Sequence, residues 1–539
     1  MSHGGGPGVC LNVAARSPEM SRSFDAITIG SGLGGLTAAA LLARAGHEVL
    51  VLERNQNFGG AATVYRHGQL AIEASLHEID GLDASDPKLP ILRALGIDRD
   101  LPFVDVGALH EVRSPLFERP FVMPHGLEAA SAAAKAQFPA HAKGIAQYFE
   151  RIDAVRQAVA LMSEHQDDRD WWLWNAPTLP WRLWPLIRDR HATLSEVLTR
   201  LFGDSEAIKL ALASNLSYYT DDPDTMPFIQ FAIPQASYLV GGGHYVRGGS
   251  QALSDRLIAI IRDAGGAVEA GREVETILVD GARARGVRHR ATRADDVREE
   301  LAPILLGNAA PSVLASMLPQ DKRAAFLSRY EDRQPSISLW SIAIGLSRPS
   351  DDFGVRHYST SVLPGWLTKL SGFREAGALL GEDPPARLPP YGFVAYDQID
   401  TGLNERPPYL GALVGVDRLA NWTGLSAEAK RSRKERWMDL VIADLDRNYP
   451  GIAGAITQRE MSTSETFAHY LNTPGGAIYG FAPQTRGFKP MPATAINGLY
   501  LASAFTGGGG FTGAILGGGW AARAAMHPNA GPSGAQAAS

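Results

Sequence analysis

Gly30, Gly32 and Gly35 stand in the spacing G-x-G-x-x-G, and an acid, Glu53, follows eighteen residues after the last of them. Those residue types in that order can hold a dinucleotide. The first glycine makes a tight turn, the second lets a pyrophosphate reach the backbone, and the third lets a helix pack close to a strand. Amides at the helix N-terminus take the phosphate charge, and the acid accepts from ribose hydroxyls. A second glycine-rich stretch, "SAFTGGGGFTGAILGGGW" (503–520), puts eight glycines into eighteen positions. Glycine loses more backbone entropy on folding than any other residue, so this density implies close approach to something.

The elements that must position these residues surround them. "FDAITI" (24–29) reads as a short buried strand, a small-residue helix runs from about Gly34 to Ala45, and "HEVLVLE" (47–53) is a second strand ending on the acid. The unit is strand, glycine turn, helix, strand, so Gly30, Gly32, Gly34, Gly35 and Glu53 are candidate cofactor-binding residues. Gly59 and Gly60 lie six residues past Glu53 and suggest backbone running along more of the cofactor than one nucleotide. At the other end of the chain, "GLYLAS" (498–503) reads as a strand before the glycine run, with an apolar helix from about Gly513 after it. That arrangement again offers amides to a polar group.

Between these ends, residues 239–290 read as a helix and a hairpin. Ser250 is the expected N-cap, Leu253, Leu257, Ile260 and Ile261 mark one apolar face, and Gly265-Gly266 stops the helix. "EVETILVD" and "ARGVRHR" flank Gly281 with alternating apolar positions. No second acid-ended βαβ unit is present, so no dedicated NAD(P)H domain is expected.

At 539 residues the chain exceeds one compact core, and two lobes are the expectation. A composition of 45% hydrophobic and 20% charged residues is that of a globular enzyme, and a net charge of −6 argues against a nucleic-acid partner. The single cysteine, Cys10, excludes internal disulfides and thiolate metal sites, and no metal motif is present. Residues 1–23 lack an apolar core before a small-residue cleavage site, so they read as a disordered leader and the location as cytoplasmic. Residues 171–190 hold five of the ten tryptophans together with Arg182, Arg188 and Arg190, and internal prolines break any long helix there. Tryptophan, leucine and arginine together suit a water–lipid boundary, so peripheral membrane contact is expected through this segment.

With its glycine clusters, its Glu-x5-Gly-Gly run and its 239–290 segment, the chain resembles the FAD-dependent oxidoreductases of the phytoene desaturase, carotenoid isomerase and retinol saturase group. The resemblance implies an α/β fold, in which a Rossmann-like FAD-binding domain is assembled from residues 24–105, 238–345 and 460–530. Residues 106–237 and 346–459 would build an α+β substrate lobe, and 531–539 a disordered tail. It implies FAD contacts at Arg54, Gly59, Gly60 and Ala61, an adenine contact at the backbone of Val274, and flavin contacts at Ser503, Gly509, Gly510, Phe511 and Thr512. "ILLGNAAPSVLASMLP" (304–319) is similar to the strand-to-helix segment that ends the central insertion. Two departures stand out: Ala61 where desaturases and amine oxidases often carry arginine, and Ala504 where an acid is common, in a loop one residue shorter.

"LAIEASLHEIDGL" (70–82) resembles the group's FD-x-G-x-H segment, with Glu73 and His77 in the matching positions, so His77 is the candidate catalytic residue. His469 is a weaker candidate, and His244 has no assigned role. The implied reaction is hydride transfer at flavin N5 on the C–C or C=C bonds of an apolar isoprenoid, carotenoid, retinoid or long-chain substrate. Oxygen, a quinone or transient NAD(P)H would supply or take the electrons. Three alternatives remain open: redox-neutral polyene isomerisation on reduced FAD, a flavin amine oxidase, and a non-catalytic FAD-binding regulatory protein.

Overall fold

Runs of four apolar or β-branched residues buried on both faces are what a central parallel sheet requires. Two such runs form adjacent strands, β1 (Ala26–Ile29) and β2 (Val49–Leu52), and every residue of both is buried. Helix α1 (Leu33–Arg44) joins them. Ten of its twelve residues are buried, which suits its alanine- and glycine-rich sequence. Helix α2 (Gly249–Asp263) leads into β3 (Ala267–Glu269), β4 (Ile304–Gly307) follows, and β5 (Leu499–Leu501) runs into helix α3 (Gly510–Met526). The five strands lie in the order β3-β2-β1-β4-β5, all parallel, with Ile29 opposite Leu52 and Gly307. This is a Rossmann-like dinucleotide-binding sheet drawn from segments hundreds of residues apart. The computed structural model describes residues 22–165, 168–485 and 491–528. Cys10, residues 1–21 of the expected leader and the expected tail 531–539 lie outside the described residues.

The second lobe is built on a seven-stranded sheet. Its order runs Ile456–Ser462, Ser338–Leu346, Tyr409–Asp417, Tyr391–Ala395, Ser359–Val362, His110–Arg113, Phe121–Met123, and only the Ser359–Val362 and His110–Arg113 pair is parallel. One face packs Trp340, Ile342 and Leu413 against Trp437, Met438 and Val441 of the Ala427–Asn448 helix. A helical layer including Ala142–Glu164 and Phe228–Gly241 holds a separate core of Ile145, Ile152, Phe228 and Phe231.

Several sequence expectations shift. Ser338–Leu346 was expected inside the 238–345 dinucleotide segment, but it pairs along its length with Tyr409–Asp417 in the second sheet. Its nine residues form an apolar strand that would suit either sheet, and only pairing distinguishes the two. Gly248, in a left-handed conformation, caps α2 in place of the expected Ser250. Ser250 instead gives its amide and hydroxyl to the buried Glu73 carboxylate, at 2.8 and 2.6 Å. An acid 177 residues away in sequence thus occupies the N-terminus of the helix. Helix α3 starts at Gly510 rather than near Gly513, after a short helical turn over Ala504–Gly507. The tryptophan-rich segment is three short helices, Arg169–Asn175, Leu179–Arg182 and Trp184–Asp189, the last two with proline in the first turn.

Candidate cofactor and substrate site

The two glycine clusters meet. Gly34 of α1 lies so close to the other end of the chain that a Cβ there would stand 2.7 Å from the Ala502 carbonyl oxygen. A Cβ on Gly518 of α3 would come within 2.3 Å of the Gly34 carbonyl oxygen. These glycines let α1 and α3 cross with their backbones almost touching. Part of the glycine density in 503–520 therefore serves protein packing rather than a ligand.

Of the run's other glycines, only Gly508 and Gly510 face open space. Gly510 has a φ of 72° and open space where a side chain would be, and Gly509, exposed, is the residue before α3. Neither α1, entered through Gly32, nor α3, entered through Gly509, has a side chain capping its first turn. Free first-turn amides are the donors of an anion-binding helix terminus. Gly30 makes the turn out of β1 at a φ of 95°, a conformation that side chains other than glycine's rarely adopt. Gly59 donates its amide to the Ser31 carbonyl at 3.1 Å, so the Gly59-Gly60 turn folds back onto the first glycine loop.

Glu53 is buried at the end of β2. It accepts from the Ser31 amide at 2.9 Å and hydroxyl at 2.7 Å through Oε2, and from the Asn55 amide at 2.7 Å through Oε1. A carboxylate has about four acceptor positions, so one remains for a ligand hydroxyl. Val274 lies close by. Its strand, Arg272–Asp280, begins with the Arg272 amide donating to the Glu53 carbonyl at 2.7 Å, and the ladder shifts register immediately after Val274. Uncapped amides, open glycines and a buried acid fit an extended dinucleotide.

Other expected contacts have protein partners. The Arg54 guanidinium donates to the carbonyls of His469 and Tyr470 at the end of the Ser464–Leu471 helix. The Ala61 carbonyl accepts from Ser75 Oγ at 2.6 Å. Ser503 Oγ accepts from the Phe505 amide, and Phe511 is half-buried. His469 is exposed at that helix end. Asn308 had no role in the sequence reading. At the end of β4 it donates Nδ2 to the Ala502 carbonyl at 2.6 Å, and its Oδ1 fills the space a Gly32 Cβ would need. The signal was available: an asparagine directly after an apolar strand, in "ILLGN".

Next to α3 lies a deep polar pocket. Thr512 donates its hydroxyl to Asp80, and Asp80 follows His77 and Glu78 in sequence. His77 Nδ1 sits 3.1 Å from Tyr218 Oη, the rings edge to face. Tyr358 and Tyr396 hold the segment's backbone by donating to the carbonyls of His77 and Leu76. Burial lowers the His77 imidazole to about 4, so it is neutral at pH 7. Burial, with Asp80 nearby, raises the Glu78 carboxyl to about 8. Tyr218, Tyr219 and Tyr238 are deeply placed and feel the charge of Glu78, and Tyr479 acts on the first two. All of them, with Glu78, retain accessible surface despite their depth, so they line internal space. Beyond Tyr218 a small cavity of about 20 Å³ lies on the large sheet, against Ser214, Leu339, Tyr391 and Val414. Sequence reasoning reached His77 and missed Glu78, although an acid in an apolar strand beside that histidine was a visible anomaly.

The sheet order and the cradle define an α/β protein with a Rossmann-like dinucleotide-binding domain. The NAD(P)-binding Rossmann-like domain family matches residues 28–92. Across most of its length the chain is similar to all-trans-retinol 13,14-reductase of Macaca fascicularis, 25% identical over 87% of this chain and 78% of that protein. It is also similar to the chloroplastic prolycopene isomerase of Daucus carota, 24% identical over 91% and 78% of the two chains. The neurosporene-forming phytoene desaturase of Rhodobacter capsulatus is 25% identical over 92% of each chain. A solved oxidoreductase from Methanosarcina mazei shares the fold with a TM-score of 0.60, at 19% identity, over 92% of this chain and 98% of that one. The chain thus resembles the phytoene desaturase, carotenoid isomerase and retinol saturase group.

Proposed function

We propose that this chain is an FAD-dependent oxidoreductase that acts on carbon–carbon bonds of an apolar polyene or isoprenoid substrate. The observation that carries the reading is the packing of α1's uncapped start against α3, whose own first turn is also uncapped, beside internal space lined by tyrosines. Gly30, Gly32, Gly34, Gly35 and Glu53 would hold the ADP half of the cofactor, with Gly59, Gly60 and Val274 beside it. Ser503 and Gly509 to Thr512 would lie against the flavin, whose N5 when bound accepts or gives hydride.

The chain's own residues set the environment of that exchange. Tyr358 and Tyr396 lock the backbone at residues 76 and 77, which fixes His77 at the cavity wall. Neutral His77 can hold or pass a proton through Tyr218.

Anaerobic mixing tests the reading. Oxidised flavin bleached by a polyene indicates desaturation, and prereduced flavin reoxidised by it indicates saturation. Product formed only after prereduction, with no net electron change, indicates isomerisation. No change with any polyene refutes the reading. A second reading, a flavin amine oxidase, is favoured by the aromatic walls of Tyr218, Tyr219, Tyr238 and Tyr479. Peroxide released from a panel of amines would support it.

Lipid contact belongs to the same proposal. Leu173, Trp174, Trp181 and Trp184 are 64, 85, 78 and 55% exposed, an apolar cluster on three short helices. Asp189, which also pairs with Arg188 beside it, ties the segment to Arg151. Among the described residues no helix is long and apolar enough to cross a membrane. Such a patch would let the enzyme take a greasy substrate from a bilayer surface, which vesicle co-sedimentation tests.

A further inference from the structure

Three ionisable side chains, Asp80, Asp86 and Lys88, meet where the second glycine cluster joins the polar pocket. The Lys88 and Asp86 side chains are fully buried and pair at 2.5 Å, and Asp86 also accepts from the amides of Leu82 and Lys88 at 2.6 and 3.0 Å. The Asp80 carboxylate lies farther from the Lys88 ammonium, at 3.9 Å, and among the described residues no other cation is within ion-pair distance of it. Lys88 instead donates to the Asp80 main-chain carbonyl. One cation thus meets two carboxylates and sits closest to Asp86, which leaves Asp80 as the surplus negative charge. Pairing of Asp80 with Gly243 fixes its backbone, and its charge reaches inward to Glu78, Tyr219 and Tyr238.

That carboxylate is tied to the start of α3. Thr512, the third residue of the helix, donates its hydroxyl to Asp80 Oδ1 at 2.5 Å. No side chain caps α3, so its first-turn amides leave a partial positive charge at that end. At neutral pH two electrons and one proton turn an oxidised flavin into an anion. An open helix start favours that anion, and a carboxylate held at the same turn disfavours it. We propose that Asp80 tunes the reduction potential of the flavin: its carboxylate, tied to Thr512, offsets the positive end of α3 and holds the potential down, which makes the reduced cofactor a stronger hydride donor.

This inference rests on the flavin placement proposed above and is independent of which substrate reacts. Asp80 acts through the start of α3, so it is a positioning residue, and no bond is made or broken at it. Lys88 and Asp86 form the buried pair behind it, and both are needed to keep the Ile79–Asp80 strand and the Leu82 turn in place.

Midpoint potentials of the FAD-loaded full chain, read against a reference dye during slow anaerobic reduction at neutral pH, test the proposal without any substrate. Asp80→Asn keeps the shape of the side chain and an acceptor for Thr512 but removes the charge. It should raise the potential by about 30 mV or more, a tenfold shift in a two-electron equilibrium. Thr512→Val leaves the carboxylate and breaks the tie, and should raise the potential by less. Glu428→Gln, at an exposed acid on the Ala427–Asn448 helix, should leave it unchanged. An unshifted potential in flavin-loaded Asp80→Asn overturns the proposal. An equal rise in Glu428→Gln also overturns it, because net charge alone would then account for the effect. Where Asp80→Asn fails to hold flavin, Thr512→Val decides, and an unaltered potential there overturns the proposal. A wild-type chain that takes up no FAD overturns the cofactor reading itself.

Discussion

The cradle and the cavity are neighbours, joined at Thr512 and Asp80, but they are made of different material. The cradle is backbone: turns at Gly30 and Gly510, the first turns of α1 and α3, and one acid at a strand end. The cavity is side chains: His77, Glu78 and tyrosines delivered by elements far apart in the chain. Backbone amides bind a constant ligand and leave little to vary. Side chains select a variable one. The difference explains how proteins named for reduction, isomerisation and desaturation can resemble the same chain over most of its length.

Perturbing the cradle should cause the largest losses. Gly518→Val would force atoms against the Gly34 carbonyl and spread α1 from α3. Overpacking of this kind costs about 3 kcal/mol, so chemical denaturation should show a fall of that size with loss of bound flavin. Retained stability with flavin bound would contradict the packing described.

The cavity should report itself through pH. His77 and His110, both lowered to about 4 by burial, stay neutral in the folded chain while the unfolded chain takes protons below about 6.5. Their contribution to stability is therefore present above pH 6.5 and lost as pH falls through 4. His110→Asn should flatten that acid limb. Glu78 acts on the other side. Its folded carboxyl is raised to about 8, so its contribution is present below 4.5 and lost as pH rises through 8. Glu78→Gln should remove that slope, and midpoint denaturant concentrations across pH measure both.

Smaller changes sharpen the boundary between the regions. Asn308→Ala removes the hydrogen bond to Ala502 that ties β4 to the start of the second glycine cluster. A loss of about 1–2 kcal/mol and a faster release of flavin are expected, read from thermal melts and flavin dissociation rates. Trp174→Ala with Trp181→Ala should change stability by less than about 0.5 kcal/mol, because both rings are exposed, yet should weaken vesicle binding. Unchanged vesicle binding would remove the lipid role from this segment.

Legibility in the sequence follows the same division. Gly30, Gly32, Gly35 and Glu53 were readable because strand, turn, helix and strand are consecutive, and each glycine's task is local. Ser250 was misread as a cap because its true partner, Glu73, reaches it only through the fold. The start of α3 was placed late because a glycine run reads as a turn, whereas packing on α1 and β5 keeps it helical from Gly510. Glu78 was passed over because its burial arises only when Phe228–Gly241 closes above it, and no spacing rule encodes that closure. Val274, by contrast, was reached through the resemblance rather than from its own neighbourhood.

Calorimetric titration with FAD and with ADP tests most directly whether one molecule spans both glycine clusters. Glu53→Ala should weaken both ligands alike, since the acid lies at the ADP end. Gly510→Asn, which tolerates the backbone there but fills the open space, should weaken FAD at least tenfold and leave ADP unchanged. Equal loss of both ligands in both variants, or no FAD binding by the unaltered chain, would contradict the account.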